Sequence, residues 1–197
     1  MVKRSTPLAA GRAQRGATLI EVLVTLLIVA FGLFGLVGLQ ARLQSTEMES
    51  YQRSQALILL NDMASRIAIN RRLASTYVTT TALGEGGNCP TATGTRLQVD
   101  LKEWCNALKG AAETSGGNNL GAMIGGRGCV QDMGNNEYLI TVAWQGLVPT
   151  AAPPDGVPCG KDLYDATAAS PSAPAPACSS DKCRRTVTTL VRIGALS

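Results

Sequence analysis

The stretch Arg15-Gly16-Ala17-Thr18-Leu19-Ile20-Glu21 joins a short basic leader to a run, Ala17 to Leu39, that is apolar apart from Thr18, Thr25 and Glu21. A carboxylate in a potential membrane span costs about 2.5–3.5 kcal/mol at a helix centre and less near an interface. Glu21 therefore asks for a reason. A plain amino-terminal anchor explains the length, since about 20 apolar residues cross a bilayer, but neither Glu21 nor the Gly16-Ala17 junction. A secretory signal peptide is cut after its apolar run at a small-x-small site. Gly38-Leu39-Gln40-Ala41-Arg42 offers no convincing pair of that kind.

Read together, the basic leader ending in Gly16 and the start ATLIEVL, with Glu21 at the fifth position after the junction, resemble the type IV pilin superfamily. The resemblance implies that a prepilin peptidase cuts between Gly16 and Ala17 and methylates the new amine of Ala17. It implies further that Glu21 answers that amine in an assembled filament. Ala17 departs from the Phe or Met usual at the first mature position; a small residue there is compatible with cleavage. The organisation implied is a leader over 1–16, a transmembrane and assembly half of a long helix over 17–39, and a periplasmic amphipathic half over 40–73. A globular head over 74–197 follows.

The net charge of +4 belongs to the leader. Lys3, Arg4, Arg12 and Arg15 lie there without an acid, so 18 − 4 leaves 14 basic against 14 acidic side chains from Ala17 onward. A neutral mature chain argues against broad nucleic-acid binding, which rests on neutralising phosphates. Basic residues stay cytoplasmic, so the rest of the chain is exported. The far side is disulfide-permissive, which suits six cysteines.

Residues 17–72 contain no proline. Leu60, Met63, Ala64 and Ile67 recur at helical spacing, with Arg53, Asn61, Asp62 and Arg66 on other faces. A helix of about 55 residues is about 80 Å long, longer than an ordinary globular helix, and resembles the pilin spine. Gly32, Gly35 and Gly38 mark a place for bending or for close packing of small residues. The helix-breaking Pro of the family is absent there. Thr76 to Thr81 is β-prone but short. Asp100 precedes Leu101, Trp104, Cys105 and Leu108, which read as a short amphipathic helix with Trp104 as core anchor. Gly116 to Gly128 reads as a loop with one apolar patch, Met123-Ile124, and no phosphate-cradling motif. Glu137–Gln145 and Thr186–Ile193 alternate as strands and are natural antiparallel neighbours. Between them, 146–180 holds seven of nine prolines. It reads as a surface excursion, not a packed element, tied down by Cys159 and Cys178.

No catalytic constellation is present. The chain has no His, which excludes Ser-His-Asp and Cys-His devices and any His-bearing zinc site. Cys89, Cys105, Cys129, Cys159, Cys178 and Cys183 include no C-x-x-C, so structural disulfides are the plain reading and no metal or cofactor is expected. Sequence proximity favours Cys89–Cys105, Cys129–Cys159 and Cys178–Cys183, although fifteen pairings are open. The doublets Arg71-Arg72 and Arg184-Arg185 read as solvated or helix-dipole pairs.

The expected fold is α+β and pilin-like, a long amino-terminal helix packed on an antiparallel sheet and stapled by disulfides. Within the superfamily, QALILLNDMASRI, DLKEWCNAL, RGCVQ, VAWQGLVPT, CGKDLY and CRR are similar to the PilV family of minor pilins, the type IV pilus modification proteins. That likeness implies a structural subunit, not an enzyme. Its partners would be other minor pilins, the major pilin, a tip adhesin and prepilin peptidase, with no nucleic acid. It would sit in the inner membrane with a periplasmic domain, then in the cell-surface pilus near the tip. The rivals are a minor pseudopilin of type II secretion, which shares leader and Glu, and a surface adhesin or DNA-uptake pilin.

Overall fold

The computed structural model describes residues 16–111, 114–115, 118–119, 123–165 and 178–194. The leader up to Arg15 and residues 166–177 of the Pro-rich excursion lie outside them. The chain divides into two compact units, the first ending at Gln44 and the second beginning at Ser45.

Helix α1 covers Leu19–Ile69. It runs through Gly32, Gly35 and Gly38, where an added Cβ would meet nothing within 4 Å. No contact inside the chain therefore demands glycine at these positions. In the second unit, Gln52, Ala56, Leu60, Met63 and Ile67 form the buried stripe of α1, spaced three or four apart as a helix on a flat core requires. The stripe packs against Val130, Tyr138, Ile140, Val142 and Trp144 of the sheet. A 3₁₀ turn, Arg71–Tyr77, follows α1.

The sheet has four antiparallel strands in the order β1 (Leu83–Gly84), β4 (Arg127–Gly134), β5 (Glu137–Gln145), β6 (Arg184–Arg192). A small hairpin of β2 (Thr114–Ser115) and β3 (Asn118–Asn119) stands apart from it. β5 and β6 pair over nine residues, Glu137 with Arg192 through Gln145 with Arg184, as their alternation anticipates. Helix α2, Arg96–Leu108, lays Trp104 and Leu108 into the same core. Gly128 makes room for it, since a Cβ there would fall 2.3 Å from the Trp104 ring. The fold is the α+β, pilin-like architecture with three disulfides: Cys89–Cys105, Cys129–Cys159 and Cys178–Cys183.

Several local expectations are corrected. Thr76 and Tyr77 lie in the 3₁₀ turn, not in a strand. The Tyr77 ring is fully buried and outweighs the β preference of its neighbours. Thr79 alone behaves as strand edge, donating its N–H to Val130 O while its hydroxyl accepts from Val130 N. Helix α2 starts at Arg96, four residues before Asp100, behind the N-cap Thr95, whose capping box with Gln98 satisfies first-turn donors. The Gly-rich stretch holds β3, whose partner β2 lies just before it, and opens β4, and its Met123 belongs to the core. Strand β4 carries no clean alternation in sequence because Gly128 interrupts its pattern. The turn that joins it to β5 has Asn135 and Asn136 at positive φ, 54° and 61°, the hairpin geometry in which Asn is tolerated. The described part of the Pro-rich excursion forms no helix or strand and is mostly exposed, but Cys159, Gly160 and Tyr164 are buried, close over Thr141 and Ala143 on the outer sheet face.

Candidate functional site

At the amino terminus, Gly16, Ala17 and Thr18 precede the helix and are exposed. Thr18 caps α1, accepting from Glu21 N and Val22 N through its carbonyl at 3.1 and 3.2 Å and from Glu21 N through its hydroxyl at 3.4 Å. Glu21 thus sits in the first turn, where the helix dipole favours a carboxylate. Its side chain is exposed. From Leu19 to Leu39 every large apolar side chain is at least 46 % exposed. Among the described residues α1 is the one helix long and apolar enough to cross a membrane. Surface of this kind is not left in water; a bilayer or a bundle of like helices must cover it. The structure thus places Ala17 and Glu21 together at the mouth of an uncovered apolar helix.

In the second unit two buried charged clusters and one partly buried ion pair hold the head together. Asp100, 1 % exposed, accepts from the Tyr77 hydroxyl at 2.6 Å, Arg66 at 2.8 Å and Arg96 at 3.0 Å. Burial and then the bond to Asp100 hold the Tyr77 phenol above its ordinary pKa, so it remains a donor. Burial opposes the charge on Arg66, but its bonds to Glu103, Asp62 and Asp100 outweigh that and raise its pKa. Arg184 and Asp181, both nearly sealed, pair at 3.0 Å, and Arg184 also donates to the carbonyls of Val157 and Cys159. The Arg184-Arg185 doublet is therefore not a solvated pair. Arg185 lies over Gly146, where a Cβ would be 2.6 Å from the guanidinium carbon. It reaches Glu49 of α1 at 3.4 Å, and Glu49 also accepts from Leu147 N. Arg71 and Arg72 are exposed, as expected of a solvated pair.

Sequence reasoning missed Asp100, Asp181 and Glu49 as structural groups. Glu49 and Arg185 are 136 residues apart, and no local pattern announces such a pair. Among the described residues no group of three His, Cys, Asp or Glu side chains is arranged to hold a metal.

Residues 11–37 match the prokaryotic N-terminal methylation motif. The match spans the Gly16-Ala17 junction, Glu21 and most of the apolar run. No curated protein and no solved structure matches the chain significantly. The motif indicates a type IV pilin-like or pseudopilin protein. Its signal and its apolar amino-terminal helix fit a membrane-anchored pilin, processed by prepilin peptidase and assembled with other pilins, and point to a structural subunit.

Proposed function

We propose that the chain is a minor type IV pilin, similar to PilV, that joins other minor pilins in priming pilus assembly and sits at or near the pilus tip. The observation that carries the reading is Glu21 in the first turn of an uncovered apolar helix, within a methylation motif that begins ahead of the Gly16-Ala17 junction. Cleavage there creates a cationic amine at Ala17. In a filament that amine enters an apolar bundle, where an unpaired charge is costly and a carboxylate from a neighbouring subunit answers it. Glu21 then sets the axial register between subunits. Three disulfides in the exported head favour a surface pilus over the pseudopilin alternative.

The test is Glu21→Ala in the full chain, with Gly16→Leu as the unprocessed control. Glu21→Ala is expected to be made, inserted and cleaved, yet to be lost from sheared pili by at least tenfold. Normal recovery in the pili would overturn the assembly role. Normal piliation in a deletion strain that fails to secrete type II substrates would establish the pseudopilin alternative.

A further inference from the structure

Strand β6 ends the sheet with one side open. Ile193 N donates to Asn136 O and Cys183 O accepts from Gly146 N, so odd-numbered residues of β6 turn their backbone groups to β5. Strand alternation then turns those of Thr186, Thr188, Leu190 and Arg192 outward, and none of their N–H groups has a partner among the described residues. No proline or bulge blunts this edge, unlike the usual protected edge. The core is also unfinished there. Val187, Val191 and Ile193 pack on it yet stay half-buried, whereas Tyr138, Ile140, Val142 and Trp144 of β5 are at most 4 % exposed.

At the Arg184 end of the edge, a cleft of about 300 Å³ opens between α1 and β6, lined by Glu49, Arg53, Trp144, Arg185, Thr186 and Val187 among others. Two guanidiniums face one carboxylate, and Arg53 has no ion-pair partner among the described residues. Trp144 is 3 % exposed and its indole N–H has no acceptor among the described residues. An added strand would pass beside this cleft and set one side chain into it.

We infer that β6 takes a fifth strand from a different exported polypeptide, an extended segment that places apolar side chains beside Val187 and Val191 and a carboxylate in the Arg53–Arg185–Trp144 cleft. Backbone pairing supplies the affinity, and the alternate side chains supply the selection. A second copy of β6 fits poorly. Antiparallel pairing centred on Thr188 would set Arg184 against Arg192 at both ends, and like charges directly opposed are destabilising. The inference goes beyond the pilin reading and stands without it, because Glu21→Ala leaves β6 unaltered.

The experiment is photo-cross-linking in intact cells with benzophenone-alanine at position 190 of the full chain, followed by mass-spectrometric mapping of the attached peptide. The expected product joins β6 to an extended, Asp- or Glu-bearing segment of another exported protein. Thr188→Pro is expected to lower its yield at least tenfold, since proline is tolerated where an edge N–H faces out but cannot donate to an added strand. Arg53→Glu, on the exposed face of α1, is expected to lower it several-fold. Both variants should keep three disulfides and an unchanged thermal transition; should Thr188→Pro fail to fold, Arg53→Glu decides. Cross-links to lipid, to a helix or to β6 of a second copy, no cross-link, or yields unaffected by the variants would each overturn the proposal.

Discussion

Asp100 shows how one residue outgrows its local role. Its position ahead of Leu101 suggests a helix start, yet Thr95 does that work and Asp100 becomes the buried acceptor joining α1, the 3₁₀ turn and α2. Removing it would strand the Tyr77 hydroxyl and take one acceptor from Arg66. Breaking a buried ion pair by deleting one partner costs about 3–5 kcal/mol, but Arg66 keeps Asp62 and Glu103. Asp100→Ala is therefore expected to destabilise the head by about 2–3 kcal/mol, close to the ~1.5–3 kcal/mol of a charged hydrogen bond. Denaturant melts of the variant beside Asp100→Asn check this. An effect below about 1 kcal/mol would show that the cluster is incidental. The six cysteines were legible at this scale, because each pairs with its neighbour in sequence. Arg184 was not: its burial depends on Asp181, Val157 and Cys159 gathering around it.

Among the elements, long periodic segments were readable and short irregular ones were not. The periodicity of α1 and the alternation of β5 and β6 carry their own signals. Strand β1 has two residues and exists because Leu83 and Gly84 pair with Gly128 and Arg127, so a long-range partner decides it. Helix α2 lies between. Its apolar spacing was visible, but its start belongs to the Thr95–Gln98 capping box, in which Gln98 N donates to the Thr95 hydroxyl and Thr95 N to the Gln98 side-chain oxygen Oε1. Thr95→Ala is expected to destabilise the head by about 1 kcal/mol, the usual cost of losing such a cap. Faster amide exchange in the first turn of α2, with the rest of the helix unchanged, is the matching observation. Loss of the whole helix would mean that the cap nucleates it.

For the head as a whole, the disulfides stand in for core the chain does not bury. Cys129–Cys159 matters most, because it pins the 157–164 segment across the outer face of the sheet and spans 30 residues of sequence. In the chain-entropy treatment a loop of this length is worth about 3–4 kcal/mol. The Cys129→Ala/Cys159→Ala double variant should lose that much stability and expose Tyr164. Tyrosine accessibility and a denaturant midpoint measure the two effects, and an unchanged midpoint would show that packing alone holds the segment. By itself the sequence determined the N-terminal methylation motif, the long helix and its core stripe, because each is written in adjacent residues or in a short period. Only the tertiary structure decided the strand order, the burial of Cys159, Gly160 and Tyr164 against the sheet, the buried ion pairs and the open edge of β6. Those depend on which distant groups are left to satisfy one another once the helix lies on the sheet, and no local window of sequence contains both partners.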